Sequence, residues 1–80
     1  MVKLEILTPD KSLFKGEVKS VYVPGEKGAF MILNNHAPII STLLKGTINV
    51  LTKDFKEEHF EINSGVIDVK SNEIVILADM

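Results

Sequence analysis

Two histidines, five serines and a scatter of carboxylates are the groups in this sequence able to shuttle a proton or attack a bond. Their spacing does not assemble them. His36 and His59 are far apart in the chain, with no second ligand clustered at either, so they make a poor zinc site. Ser12, Ser20, Ser41, Ser64 and Ser71 sit in turn-like or strand-like contexts, and none lies in a Gly-x-Ser-x-Gly elbow. Glu57 and Glu58 are adjacent, so in a strand they point to opposite faces and cannot act as a pair. Gly25, Gly28, Gly46 and Gly65 are too dispersed for a phosphate-cradling loop, and no Gly-Lys-Ser/Thr follows them. A hydrolase would need a pocket lined by His36 and a carboxylate such as Asp10 or Asp68. A small domain filled with aliphatic side chains leaves little room for one. The sequence therefore reads as a non-enzyme, with no catalytic residue, cofactor or metal assigned.

Binding chemistry remains. His36 has two readings: a polar contact at a protein interface, or a capping histidine bonded to loop carbonyls. His59 falls at an exposed-phase position of a charged strand and reads as solvated. Gly25 to Ala29 reads as an exposed loop, either a mobile hairpin tip or a docking tip on a rigid sheet.

The stretch that must position these residues runs from Val21 to Pro38. Val21-Tyr22-Val23 alternates as a strand. Pro24-Gly25 breaks it, because proline offers no N–H and glycine tolerates positive φ. Gly28 is a second flexible point, so Glu26-Lys27 is expected as a charged tip between two hinges. Phe30, Ile32 and Leu33 form the returning strand, Asn34-Asn35 signals a turn, and Pro38 forces Ala37 extended.

Alternation predicts further strands over Val2–Leu7, Leu13–Lys15, Glu17–Val23, Thr47–Thr52, Lys56–Ile62, Val66–Lys70 and Glu73–Ala78. Gly16 is expected to turn the second of these. Thr8-Pro9-Asp10-Lys11 is a turn, with Asp10 available for an Asx-type bond, and Lys53-Asp54, Asn63-Ser64-Gly65 and Ser71-Asn72 are others. Alternation fails at Ser20-Val21, which suggests a bulge or burial on both faces. Ile39 to Gly46 is ambiguous between a short helix and a strand; Ile-Ile-Ser-Thr favours the strand. The run Ile74-Val75-Ile76-Leu77 is apolar on both faces and belongs centrally in a sheet. Turn signals every 8–12 residues or so between short strands point to an all-β chain, a flattened β-sandwich or barrel.

The chain has 80 residues, enough for one domain spanning 1–80. At 45% apolar with 6% aromatic and no Trp, Val, Ile and Leu must fill its core. Nine basic against eleven acidic residues leave a net charge of −2, which argues against nucleic acid. No cysteine is present, and no stretch approaches the roughly 20 apolar residues that span a bilayer. Any membrane association is expected to run through a partner protein.

Val23-Pro24-Gly25-Glu26-Lys27-Gly28-Ala29-Phe30, followed by Ile32-Leu33-Asn34-Asn35-His36-Ala37-Pro38, resembles the N-terminal domain of the epsilon subunit of F-type ATP synthases. Ile62-Asn63-Ser64-Gly65-Val66-Ile67-Asp68-Val69, the closing Val75-Ile76-Leu77-Ala78-Asp79 and the opening Leu4 to Pro9 with Phe14 to Val18 are similar as well. The resemblance implies a β-sandwich of about ten strands and a non-catalytic rotor component of the central stalk. Such a subunit joins the gamma subunit to the c-ring and couples proton transport to ATP synthesis, at the cytoplasmic face of the bacterial inner membrane. It implies a gamma-facing surface at Thr8, His36, Ala37, Pro38 and Ser41, and a c-ring-facing loop at Gly25, Glu26, Lys27, Gly28 and Ala29. Many members carry an acidic residue where Ala29 stands; Glu26 would supply the charge here. A C-terminal helical hairpin, which inhibits hydrolysis and in some members binds ATP, is not expected in this chain, and neither is nucleotide binding. The alternative is a small β-domain adaptor that binds a peptide or ligand at a strand edge.

Overall fold

Eight strands account for the chain in the computed structural model, which describes every residue except Asn35. They are β1 (Val2–Leu7), β2 (Ser12–Val23), β3 (Phe30–Ile32), β4 (Ile39–Leu43), β5 (Gly46–Thr52), β6 (Glu57–Ile62), β7 (Ser64–Lys70) and β8 (Glu73–Asp79). Their hydrogen-bonded order is β4-β7-β8-β1-β2-β5-β6, with β3 on β2. All neighbours are antiparallel except β1 and β8, which run parallel.

One long strand folds this sheet over itself. The first half of β2 pairs with β1, from Ser12↔Leu7 to Val18↔Val2. Its second half pairs with β5 and β3, through Val21↔Val50 and Val21↔Ile32. Between the halves the β5 register slips between Val18 and Ser20. An extra residue there bends the strand, and it is why Val18 and Val21 are both buried although three positions apart. The two halves of the sheet face each other across a core of aliphatic residues, among them Leu4, Ile6, Val18, Val21, Ile32, Leu43, Ile48, Ile67, Ile74 and Ile76. Phe14 and Phe60 close one margin edge-to-face, with ring centres 6.2 Å apart.

Eight strands, rather than about ten, follow partly from Gly16. It does not turn the chain; it pairs with Leu4 inside β2, between Phe14↔Ile6 and Val18↔Val2. With both neighbours held in the ladder, the two short strands expected here become one of 12 residues. The ambiguous segment is a strand, β4. At the first turn it is Thr8, not Asp10, that supplies the side-chain bonds: its backbone N–H and its hydroxyl both donate to the Lys11 carbonyl, and Lys11 N–H donates to Thr8 Oγ1. Ser71 and Asn72, both at positive φ (40° and 64°), make the two-residue hairpin turn from β7 to β8. Asn34 lies in a turn; its expected companion Asn35 is outside the described residues.

β8 is central, between β7 and β1, as its apolar run requires. Only one of its faces is covered. Ile74, Ile76 and Ala78 are buried, whereas Leu77 is 55% exposed.

Candidate functional site

The uncovered face of β8 is part of a larger apolar patch. Ladder register places Thr42, Val66 and Leu77 in one row across β4, β7 and β8, with Leu7 of β1 next. The neighbouring row holds Ile40, Asp68 and Val75. Ile40, Leu77 and Val66 are 70%, 55% and 42% exposed. A single exposed leucine on a small protein is ordinary; exposed aliphatic side chains gathered in adjacent rows on one sheet face are not. Asp68 lies within the patch, and Glu5 of β1 borders it, in register with Val75. The Oδ1 of Asp68 is shielded from solvent without a hydrogen-bond partner, and its Oδ2 lies 3.8 Å from Lys70 Nζ. Beyond that row the face turns charged, with Lys70, Glu73, Lys3 and Glu17 paired in register.

Thr8 lies at the apolar end of this face. It lines a shallow depression of about 560 Å³ with Thr42, Val66 and Leu77. Ser41 is the neighbour of Thr42 on β4 and donates its hydroxyl to the Thr42 carbonyl at 3.2 Å. His36, Ala37 and Pro38 lead into the other end of β4, so the five residues are strung along that strand rather than gathered at one point. His36 is half-buried, and its Nδ1–H donates to the Ala37 carbonyl at 2.7 Å. The carbonyl can only accept, which fixes the tautomer of the neutral ring. His36 thus makes the loop-carbonyl bond of the capping reading. It lines none of the grooves over β4, over the β7–β8 face or over β1–β2.

The Gly25–Ala29 loop departs from a tip between two hinges. Gly25 is buried and bridges Leu43 of β4. A Cβ there would lie 2.6 Å from the Phe30 ring and 2.7 Å from the Gly28 carbonyl, so only glycine fits. Gly28 N–H donates to Gly25 O at 3.1 Å, closing a turn with Glu26 and Lys27 at its corners. Gly28 itself has φ 119°, the second position that calls for glycine. Two further bonds fasten the loop: Glu26 N–H to Thr42 O at 2.9 Å, and Leu44 N–H to Pro24 O at 2.8 Å. Glu26, Lys27, Gly28 and Ala29 are exposed. The structure therefore brings the loop against β4, and Glu26 to Ala29 share a groove with Ser41 and Thr42.

His59 is exposed on β6, as its phase predicts, hydrogen-bonded to Asn49 across the ladder and 4.0 Å from Glu57. Among the described residues no three His, Asp or Glu side chains converge as a metal cage. The apolar patch was the feature that the sequence reading missed. Its signal was the two-sided apolar run of β8, which points to a central strand but does not tell that one face stays uncovered.

Comparison with known proteins gives this geometry a context. Residues 1–80 match the family model described as the β-sandwich domain of the ATP synthase delta/epsilon chain. The ATP synthase epsilon chain of Chlorobium limicola is 39% identical over 77 residues, covering 96% of this chain and 88% of that one. That of Dichelobacter nodosus is 42% identical over 74 residues, covering 92% of this chain and 52% of the relative. In Nitratiruptor the share of the relative is 60%. The chain thus spans most of some relatives and about half to three-fifths of others. Among solved structures, a chain of the Euglena gracilis mitochondrial ATP synthase superposes with a TM-score of 0.92 at 20% identity, covering 99% of this chain and 51% of that chain. A chain from the central stalk and c-ring of the Tetrahymena thermophila enzyme gives 0.80 at 17% identity, with 99% and 63% covered. At those identities the likeness is one of fold.

Proposed function

The chain belongs to the ATP synthase delta/epsilon β-sandwich family, and from that premise we propose that it is a non-catalytic subunit of the central stalk, joining the gamma subunit to the c-ring. It would couple proton transport to ATP synthesis from a peripheral position, at the cytoplasmic face of a bacterial inner membrane, without entering the bilayer. No bond is made or broken on it; its contribution is stiffness. A sheet that wraps one aliphatic core resists shear, because any displacement of its strands opens voids in close-packed side chains.

The observation that carries the reading is the uncovered apolar face of β4, β7 and β8. Burying Ile40, Val66 and Leu77 on a partner stabilises a complex by roughly 25 cal/mol for each Å² removed from water, offset by the cost of association. Thr8 beside it would form a polar rim of the gamma-facing surface, and Ser41, whose side chain points to the other face of β4, would meet gamma from the groove along the β4 edge. His36, Ala37 and Pro38 extend that rim along the chain into β4. The c-ring-facing side would be the exposed tip Glu26 to Ala29, with Glu26 as its negative charge and Gly25 beneath holding the tip in place.

The test is binding. Mixed with the gamma subunit of the same synthase, the chain should co-elute as a stable complex. Leu77→Asp, which puts a charge in the centre of the exposed patch, should keep the fold by circular dichroism yet weaken the complex by at least about tenfold. Wild-type chain that ignores gamma would rule the reading out.

A further inference from the structure

The outer flank of β4 is only half covered, and ladder parity tells which of its backbone groups are left over. The Thr42 carbonyl and the Leu44 N–H point away from β7, toward Glu26 and Pro24. In an antiparallel ladder the backbone groups of every second residue point the same way. Ile40 must therefore direct its N–H and its C=O outward too, and so must the Thr42 N–H. Past Glu26 the loop turns away from β4, and the reciprocal bond from Thr42 N–H to Glu26 O is not among those that fasten it. These groups open instead onto a groove of about 550 Å³ between β4 and the segment from Glu26 to Phe30.

The sheet's other free flanks are guarded. β6 carries Glu57, Glu58 and Glu61, and β3 is three residues long. Charge and brevity are the usual protections against stray pairing. β4 reads Ile-Ile-Ser-Thr-Leu, with no charge and no proline. Its unpaired stretch adjoins the exposed apolar face directly, since the 70%-exposed Ile40 side chain stands on that face while its backbone borders the groove.

We propose that this edge of β4 receives an extended segment of the gamma subunit, added as the next strand of the sheet, while the same partner covers the apolar face alongside. The proposal rests on the reading of gamma as the partner that docks here. A second copy of the chain is the poorer occupant. Among the described residues only the N–H and C=O of Ile40 and the N–H of Thr42 are left over, along roughly 10 Å of strand, too little to hold two copies by the edge alone. A partner that grips the face as well needs no more. Backbone bonds to Ile40 would set the register of that partner, and side chains alternating along its strand would seat by Phe30 on one side and over Ile40 on the other.

Amide hydrogen exchange, followed by NMR on the chain with and without its gamma subunit, tests this. The amides of Ile40 and Thr42 should exchange fast in the free chain and slow by at least about a hundredfold in the complex. Ser41, bonded within the β4–β7 ladder, should be protected in both. Replacing the Ile40 amide by an ester, through ligation of synthetic segments, should weaken gamma binding about fivefold, in line with one net hydrogen bond, and lower the melting temperature only slightly, through the weaker Ile39 carbonyl in the β4–β7 ladder. A complex that forms while Ile40 and Thr42 stay fast overturns strand addition and leaves gamma binding intact. Absence of any complex removes the gamma reading and this inference with it. Protection that grows with the chain's own concentration, without gamma, assigns the edge to a second copy and overturns the proposal.

Discussion

The backbone N–H of Glu26 donates to the carbonyl of Thr42 at 2.9 Å, fastening the Gly25–Ala29 loop to the strand that borders the exposed apolar face. The two surfaces that the family resemblance implies are therefore parts of one rigid unit. A load on the loop reaches β4 through two backbone hydrogen bonds and the buried Gly25, with no flexible side chain between.

Gly25 is the sensitive point of that connection. Gly25→Ala forces a Cβ against the Phe30 ring and the Gly28 carbonyl, and should destabilise the chain by about 1–3 kcal/mol. Gly28→Ala meets no atom within 4 Å and carries only the strain of its φ of 119°, about 1 kcal/mol, so Gly25→Ala should be the more damaging of the two. Urea unfolding of both variants checks the order. Equal losses would mean that the packing of Gly25 on Phe30 is not what holds the loop.

Neighbouring residues on β8 should separate stability from binding. Ile76 is fully buried, so Ile76→Ala should cost about 2–5 kcal/mol, a large share of the stability of a domain this size. Leu77 is more than half exposed, so Leu77→Ala should cost less than about 1 kcal/mol in unfolding. It should nonetheless weaken gamma binding. Denaturation and titration of the same two variants suffice, and a Leu77→Ala variant with full affinity would count against the apolar face as an interface.

Phe55 tests a local balance. It holds φ at 63° in the turn between β5 and β6, with Lys19 Nζ 4.3 Å from its ring centre. Phe55→Gly removes the left-handed strain but loses a cation–π contact of about 0.5–1 kcal/mol, so stability should change by less than about 1 kcal/mol. Phe55→Val keeps the strain, worsened by β-branching, and loses the contact; about 2 kcal/mol of destabilisation is expected. Thermal melts of the pair decide it.

Much of this was legible in the residues. Val2, Leu4 and Ile6 alternate, and the structure buries all three. The failure of alternation near Ser20 marked, within a residue or two, the place where β2 bends between the two halves of the sheet. Gly16 misled because glycine's permissiveness is local, whereas pairing with Leu4 is decided by a strand before it in the chain. The run around Leu77 placed β8 centrally, where it lies, but periodicity tells that a side chain is apolar, not whether this chain or another covers it. Thr8 and Ser41 were named through resemblance alone. The position of Thr8 beside the Thr42–Val66–Leu77 row, and that of Ser41 on the opposite face of β4 in the row with Ile67 and Ile76, depend on register between strands distant in sequence, which no local pattern encodes.

A link between gamma and the c-ring is read out as coupling. Membrane vesicles carrying the ATP synthase depleted of its epsilon chain should hydrolyse ATP with little proton uptake. Adding this chain should restore ATP-driven acidification, and the Leu77→Asp variant should not. Acidification equally strong without the chain, or restored in full by Leu77→Asp, would contradict its role as the link between gamma and the c-ring.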